Sequence, residues 1–237
     1  MAQRPIVLDG AVFRRDDAAH SATLAIFDLD RTLVAGSSLS SLAQELADAR
    51  LLQRRTVART ALRNARFARR GASDRTVGSL RTAVSDLARG REYEPIARSA
   101  GVVGARLVDT MSPSARMLVD RHLIAGDFCV VLSASPQELV DAVVHALGAH
   151  RGVGTRAEVV DGRLTGDLVG PFCYGPGKLE RLRIELGAVP LDTAWAYADS
   201  TSDLPLLEAV RHPAAVNPDR RLRAVARANR WPILDAS

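Results

Sequence analysis

Phe27-Asp28-Leu29-Asp30-Arg31-Thr32-Leu33 sets two carboxylates one residue apart, directly after the apolar run Leu24-Ala25-Ile26-Phe27. That run is short and uninterrupted, the pattern of a strand buried on both faces. In an open α/β sheet, ligands bind outside the carboxyl ends of the strands, where Asp28 and Asp30 fall. With one residue between them, both can emerge on the same side as the chain leaves the strand. Two acids so placed repel each other unless a cation lies between them, and a hard divalent ion such as Mg²⁺ meets that need. One carboxylate can then attack an electrophile while the other moves a proton. A lone pair of acids would read as an acidic turn. Three further segments argue for more.

Ala194-Trp195-Ala196-Tyr197-Ala198 is a second short apolar run, followed by Asp199-Ser200-Thr201-Ser202-Asp203 and a helix expected from Pro205 onward. A third run, Phe128-Cys129-Val130-Val131-Leu132, ends in Ser133-Ala134-Ser135-Pro136-Gln137-Glu138. There Ser135 is expected to cap a helix, with Pro136 at its first position and Glu138 closing a capping box. A helix N-terminus beside a hydroxyl is a ready anion site. The fourth segment is Tyr174-Gly175-Pro176-Gly177-Lys178, a tight loop opening a helix through Leu179, Leu182 and Leu186. Lys178 is the only lysine among 32 basic residues. In a chain that otherwise writes arginine, a single lysine marks a place that needs a compact ammonium and not a planar guanidinium.

FDLDRTL, a serine after the second of these strands, the single lysine and DSTSD, in this order, resemble the four motifs of the haloacid dehalogenase (HAD) superfamily phosphatases, on their phosphoserine-phosphatase-like branch. The resemblance runs over roughly residues 22–234. It implies that Asp28 is a nucleophile forming an aspartyl-phosphate, and that Asp30 protonates the leaving oxygen and then activates water. It also implies that Thr32 and Ser133 hydrogen-bond the phosphoryl group and that Lys178 neutralises it. Mg²⁺ would be held by Asp199, the Asp28 carboxylate and the Asp30 backbone carbonyl, with Asp203 orienting Lys178 and a metal-bound water. Phosphoryl transfer suits this set, because it needs positioning and charge neutralisation more than elaborate bond-making.

The elements that must position these residues follow from pattern. The fold class is α/β: a Rossmann-like, mainly parallel sheet with helices on both faces and an inserted helical cap. The core is expected at 1–34 and 113–237 and the cap at 35–112. Within the cap, Leu39, Leu42 and Leu46 share a helix face, Val77, Leu80, Val84 and Leu87 repeat at helical spacing, and Gly71-Ala72-Ser73-Asp74 separates the two. The core resumes with a helix through Ala115, Leu118, Val119 and His122. Ala157–Gly166 reads as a hairpin turning at Asp161-Gly162. Ala214-Ala215-Val216 and Trp231–Leu234 give two more strands around a helix at 219–229. Residues 1–21 read as a lead-in.

Hydrophobic content of 47% over 237 residues supports a sizeable core. Cys129 and Cys173 are too few for a disulfide scaffold, the five histidines lack zinc spacing, and no apolar run approaches a membrane span or a secretory leader. A reduced, cytoplasmic setting is expected. Positive charge is concentrated in the cap, with 14 arginines against seven acids between 35 and 112, in a chain of net charge +5. This favours a phosphorylated substrate and makes the cap a candidate contact for anionic lipid, although a solvated arginine-rich face is the simpler reading of most of it. Aromatic content of 4%, with no recognition motif among the arginines, argues against nucleic acid.

The chain departs from its resemblance at the substrate end. Phosphoserine phosphatases carry a glutamate where this sequence has Ser37, and their carboxylate-gripping cap arginine aligns loosely with Arg81 or falls on Ala83. The substrate expected is therefore a small phosphomonoester other than phosphoserine. The competing readings are a phosphotransferase sharing the same intermediate, a lipid-phosphate phosphatase using the same site, and a binding module on the same fold. A binding module would be expected to have lost Asp28, Asp30 or Lys178.

Overall fold

The computed structural model describes residues 6–8, 11–13, 23–53, 85–86 and 88–236. The predicted helix repeat at 77–87 and the break at 71–74 thus fall almost wholly outside the described residues, as do Arg81 and Ala83. Two short strands, β1 (Ile6–Leu8) and β2 (Ala11–Phe13), pair antiparallel ahead of the main sheet.

The main sheet contains β3 (Leu24–Phe27), β4 (Phe128–Pro136), β5 (Arg151–Thr155), β8 (Trp195–Ala198), β9 (His212–Val216) and β10 (Ile233–Leu234). Its order is β10-β9-β8-β3-β4-β5, and every ladder in it is parallel. β3 lies between β4 and β8, so the chain builds outward on one side, returns, and builds outward on the other. That reversal creates a crevice at the carboxyl ends of β3, β4 and β8. In sequence between β5 and β8, β6 (Ala157–Val160) and β7 (Arg163–Leu168) form a separate two-stranded hairpin. Its two-residue turn is Asp161-Gly162 as expected, both with positive φ, at 49° and 73°.

Successive strand residues point to opposite faces, which divides the core in two. Ala25, Phe27, Cys129, Val131 and Tyr197 face α1 (Ser38–Asp48), α2 (Tyr93–Asp109), α3 (Pro113–Ile124) and α4 (Gln137–Leu147). Leu24, Ile26, Phe128, Val130, Ala196 and Ala198 face α5 (Pro176–Leu186), α6 (Leu204–Ala209) and α7 (Arg220–Ala228). Helices thus cover both faces of a parallel sheet. The described ends of the segment read as an inserted cap, α1 and α2, contribute Leu42, Leu46, Ala100 and Val103 to the first cluster.

One local expectation is corrected. Ser135 does not cap a helix, and no capping box forms: β4 continues to Pro136, which pairs with Thr155 of β5, and α4 begins at Gln137 without a side-chain cap. The Ser135 hydroxyl is engaged elsewhere, 2.5 Å from Ser38 Oγ, and Glu138 accepts a hydrogen bond from the Tyr93 hydroxyl. The β4–β5 ladder shifts register between Leu132 and Pro136. Such an irregularity frees the intervening residues from strict pairing, a device common beside functional sites. Here Ser133-Ala134-Ser135 are the intervening residues, and Ala134 and Ser135 line a cavity.

Candidate active site

Asp28 directly follows β3, and its N–H donates to the Tyr197 carbonyl at 2.9 Å, tying the end of β3 to β8. Residues 29–34 then form a closed loop: Leu33 and Val34 N–H donate to the Leu29 carbonyl, and Arg31 N–H donates to that of Val34. Arg31 takes φ of +62° at the loop tip. Both Asp28 oxygens are held. Oδ1 accepts from Lys178 Nζ at 2.6 Å, and Oδ2 accepts from the Thr32 hydroxyl at 3.1 Å.

Lys178 comes from the first turn of α5, and its loop depends on two glycines. Gly175 precedes the helix at φ +55°, and a Cβ on Gly177 would lie 2.1 Å from the Phe172 carbonyl oxygen. Lys178, Leu182 and Leu186 recur every four residues, so the stripe that packs α5 onto the sheet ends in an ammonium at the crevice. A helix N-terminus repels a cation. Carboxylates outweigh that here: Nζ lies 2.6 Å from Asp203 Oδ1 as well as 2.6 Å from Asp28. Burial alone would lower the lysine pKa, but Asp203 and Asp28 raise it, so Lys178 stays charged.

Asp199 and Asp203 follow β8, and Asp203 precedes α6. Oxygens of Asp28, Asp199 and Asp203 lie within 4.8 Å of one another, all buried. Burial first, and then the nearby carboxylates, push the Asp28 pKa up to about 6 and that of Asp199 to about 7, against the partial relief from Lys178 and Arg31. Three buried acids thus face one buried ammonium. Oxygen-only donors with an excess of negative charge suit a hard divalent cation such as Mg²⁺. The residues present fit that group.

Asp30 is built differently. Its carboxylate accepts from Ser38 N–H at 2.8 Å, at the N-terminus of α1, so it turns away from the three clustered acids. Burial raises its pKa, and the Ser38 hydrogen bond partly offsets this. Ser133 Oγ accepts from Ser135 N–H at 3.2 Å and is buried. The structure therefore joins Asp28, Thr32, Lys178 and Asp203 through direct contacts and sets Asp199 beside them, with Asp30 on the loop after β3 and Ser133 within β4.

Two residues escaped the sequence reading. Ser38 joins the Asp30 carboxylate to Ser135, and Arg31 Nε lies 2.9 Å from Asp199 Oδ2. The repeated strand-end carboxylates carried no signal for either contact.

A cavity of about 530 Å³ opens beside these residues, with Asp30, Arg31 and Ser135 in its lining. Ser37 lines it. Glu45 does not line it among the described residues, and ion-pairs with Arg106 at 3.1 Å.

The sequence profile of the haloacid dehalogenase-like hydrolases matches residues 25–208. The chain belongs to that family. This HAD hydrolase is 37% identical over 227 residues to a probable phosphatase of Mycobacterium tuberculosis, covering 93% of the chain and 77% of the relative. It is 34% identical to a phosphoserine phosphatase of the same organism, over 89% of the chain and 70% of the relative. It is equally 34% identical to a histidinol-phosphatase of Neisseria meningitidis, over 90% of the chain and 98% of the relative. A solved structure of a Bordetella pertussis protein of unknown function superposes with a TM-score of 0.77 at 27% identity, covering 91% of this chain and 99% of that one. The HAD hydrolase is thus a phosphatase by family. Among its described residues no helix is long and apolar enough to cross a membrane.

Proposed function

We propose that this HAD phosphatase hydrolyses a small phosphomonoester through an aspartyl-phosphate on Asp28, with Mg²⁺ held by the Asp28 and Asp199 carboxylates and the Asp30 backbone carbonyl. The observation that carries this reading is the buried cluster in which Lys178 bridges Asp28 and Asp203 beside Asp199. When bound, the ion supplies positive charge that offsets the repulsion between a carboxylate nucleophile and a phosphate dianion.

The chain's own residues do the rest. Thr32 and Lys178 fix the Asp28 carboxylate, so that one oxygen can face the phosphorus in line with the leaving alcohol. As the Asp28 oxygen–phosphorus bond forms and the ester bond breaks, Asp30 delivers the proton the alkoxide needs. Its raised pKa is the direction that a general acid requires. In the second half Asp30 takes a proton from water, water attacks the phosphorus, and the Asp28–phosphoryl bond breaks. Lys178 stabilises the phosphoryl oxygens throughout, and Asp203 keeps it aimed. Ser133 offers its hydroxyl to the same oxygens, and the Thr32 hydroxyl, with one proton to donate, turns from Asp28 to them once the phosphoryl group is in place.

Phosphoserine is not the preferred substrate in this reading. Ser37 gives no charge to pair with a substrate ammonium, and Glu45 is engaged with Arg106. Relatives named for phosphoserine and for histidinol phosphate stand at the same identity, so family membership leaves the alcohol open. The division into a core of 1–34 and 113–237 and a cap of 35–112 belongs to this proposal. Ser37, Leu39, Ser85 and Ala88 from the cap segment line the cavity.

The test is phosphate release from a panel of phosphorylated metabolites, with Mg²⁺ and with EDTA, beside the Asp28→Asn variant. Turnover that needs Mg²⁺ and falls by several orders of magnitude in the variant is expected. Turnover by the variant within tenfold of wild type would end the aspartyl-phosphate reading.

A further inference from the structure

The cavity over Asp30 says more about the alcohol half of the substrate than the phosphate machinery does. Its walls come from separate elements: Leu39 from the first turn of α1, Ala157 from β6, Leu164 and Leu168 from β7, and Phe172 and Tyr174 from the loop that leads to Lys178. The two rings stack, with centroids 6.0 Å apart and planes 20° from parallel. Apolar groups dominate this wall. Asp30, Arg31 and Ser135 contribute polar groups beside the phosphoryl site, and Ser37, Ser85, Thr155 and Asp167 complete the polar part of the lining.

Charge in the described lining is confined to three residues, Asp30, Arg31 and Asp167. The Arg31 guanidinium is held by Asp199, and the exposed Asp167 carboxylate faces Arg89 at 4.0 Å. An amino-acid head group needs a cation for its carboxylate and an anion for its ammonium. Among the described lining residues the only cation is already paired with an acid of the metal cluster. A volume of about 530 Å³ also exceeds what a serine side would fill, and lies in the range of pockets that enclose ring-bearing ligands.

We infer that the substrate is the phosphate ester of an alcohol with a compact, uncharged apolar body, such as an aryl ring or a short branched chain, seated between the β7 leucines and the Phe172–Tyr174 pair. This rests on the phosphatase reading above and names the substrate class of that site. Burial of the apolar body supplies binding free energy roughly in proportion to its area, and in enzymes it can be used to orient the ester for attack.

The experiment compares kcat/KM for 2-phenylethyl phosphate, O-phosphoserine and acetyl phosphate, in wild type and in Leu168→Asp. The inference expects the phenylethyl ester to exceed phosphoserine by about tenfold or more, and the phenylethyl-to-acetyl ratio to drop by a similar factor in the variant. Preference for phosphoserine, or a ratio that Leu168→Asp leaves unmoved, overturns it. Calorimetric binding of 3-phenylpropylphosphonate against 2-amino-4-phosphonobutanoate separates the two levels of the argument. If no ester turns over but the phenyl phosphonate binds about tenfold more tightly, the phosphatase reading fails and the pocket assignment stands. Equal affinities, or tighter binding of the amino acid, overturn the pocket assignment whatever the turnover.

Discussion

Lys178 Nζ reaches Asp28 Oδ1 at 2.6 Å across 150 residues of sequence, and the contact is buried from both sides. Asp203 completes the clamp at the same distance from the other side. A guanidinium cannot enter this space without moving one of the two acids, because its nitrogens are spread over a plane. Lys178→Arg is therefore expected to lower kcat by roughly 10²-fold or more, since small misplacements at a reacting centre carry costs of that order. Steady-state kinetics with circular dichroism as a folding control checks this. A folded variant with near-normal kcat would show that Lys178 is structural.

The raised acid pKa values fix the sign of a pH effect on the metal-free protein. Asp28 and Asp199 shift from an ordinary 3.8 to about 6 and about 7. Each holds its proton more tightly when folded. Stability from this source is full below about pH 3.8 and lost as pH rises through about 6 and about 7. In EDTA, their contribution to the melting temperature is expected to fall over that window. Mg²⁺ binds the deprotonated acids, so its stabilising shift should be larger at about pH 8 than at about pH 5. Asp28→Asn should flatten the EDTA profile. A profile identical to wild type would remove Asp28 as a titrating group.

Arg31 competes for the metal site. Its guanidinium is 62% exposed, yet Nε sits 2.9 Å from Asp199 Oδ2. A cation entering the acid cluster must share Asp199 with it. Arg31→Ala is expected to tighten Mg²⁺ binding by roughly twofold to fivefold, the scale of a partly exposed ion pair. Isothermal titration of the metal-free protein measures this directly. Weaker Mg²⁺ binding in the variant would mean that Arg31 supports the site instead of guarding it.

How much of this was legible in the sequence follows from distance along the chain. The strand ends before Asp28 and Asp199 could be read because each follows a short apolar run, whereas β4 runs past Ser133 to Pro136. The α5 stripe and the Asp161-Gly162 turn could be read because helical spacing and turn chemistry are local. The capping box at Ser135 failed because a tertiary partner, Thr155 on β5, keeps Pro136 in the strand. Ser38 could not be read at all: its contacts lie 8 residues away at Asp30 and 97 away at Ser135.

The same holds for a buried polar chain beneath the sheet. His122 on α3 meets Asp127 at 2.6 Å through Nδ1 and the Tyr197 hydroxyl at 2.7 Å through Nε2. Burial would raise the Asp127 pKa, but hydrogen bonds from His122 and Thr23 outweigh it and hold the carboxylate below its usual range. Tyr197 also stacks on Phe27, the residue before Asp28, at 5.1 Å. Removing the imidazole leaves both partners unsatisfied, so His122→Ala should cost about 2–4 kcal/mol, and Tyr197→Phe about 1 kcal/mol. Urea unfolding measures both. A loss below about 0.5 kcal/mol for His122→Ala would show that water replaces the ring without cost.

The central claim is that Asp28 carries the phosphoryl group during turnover, and chemical trapping tests it most directly. The Asp30→Asn variant, which lacks the acid of the first step as well as the base of the second, is mixed with Mg²⁺ and an aryl phosphate, whose leaving group needs no proton, then quenched in acid and digested for mass spectrometry. The account predicts one phosphoryl group on Asp28, lost on treatment with hydroxylamine and absent from the Asp28→Asn, Asp30→Asn double variant. Alcohol released in a single turnover with no phosphoryl group on the protein, or with it on another residue, would contradict it.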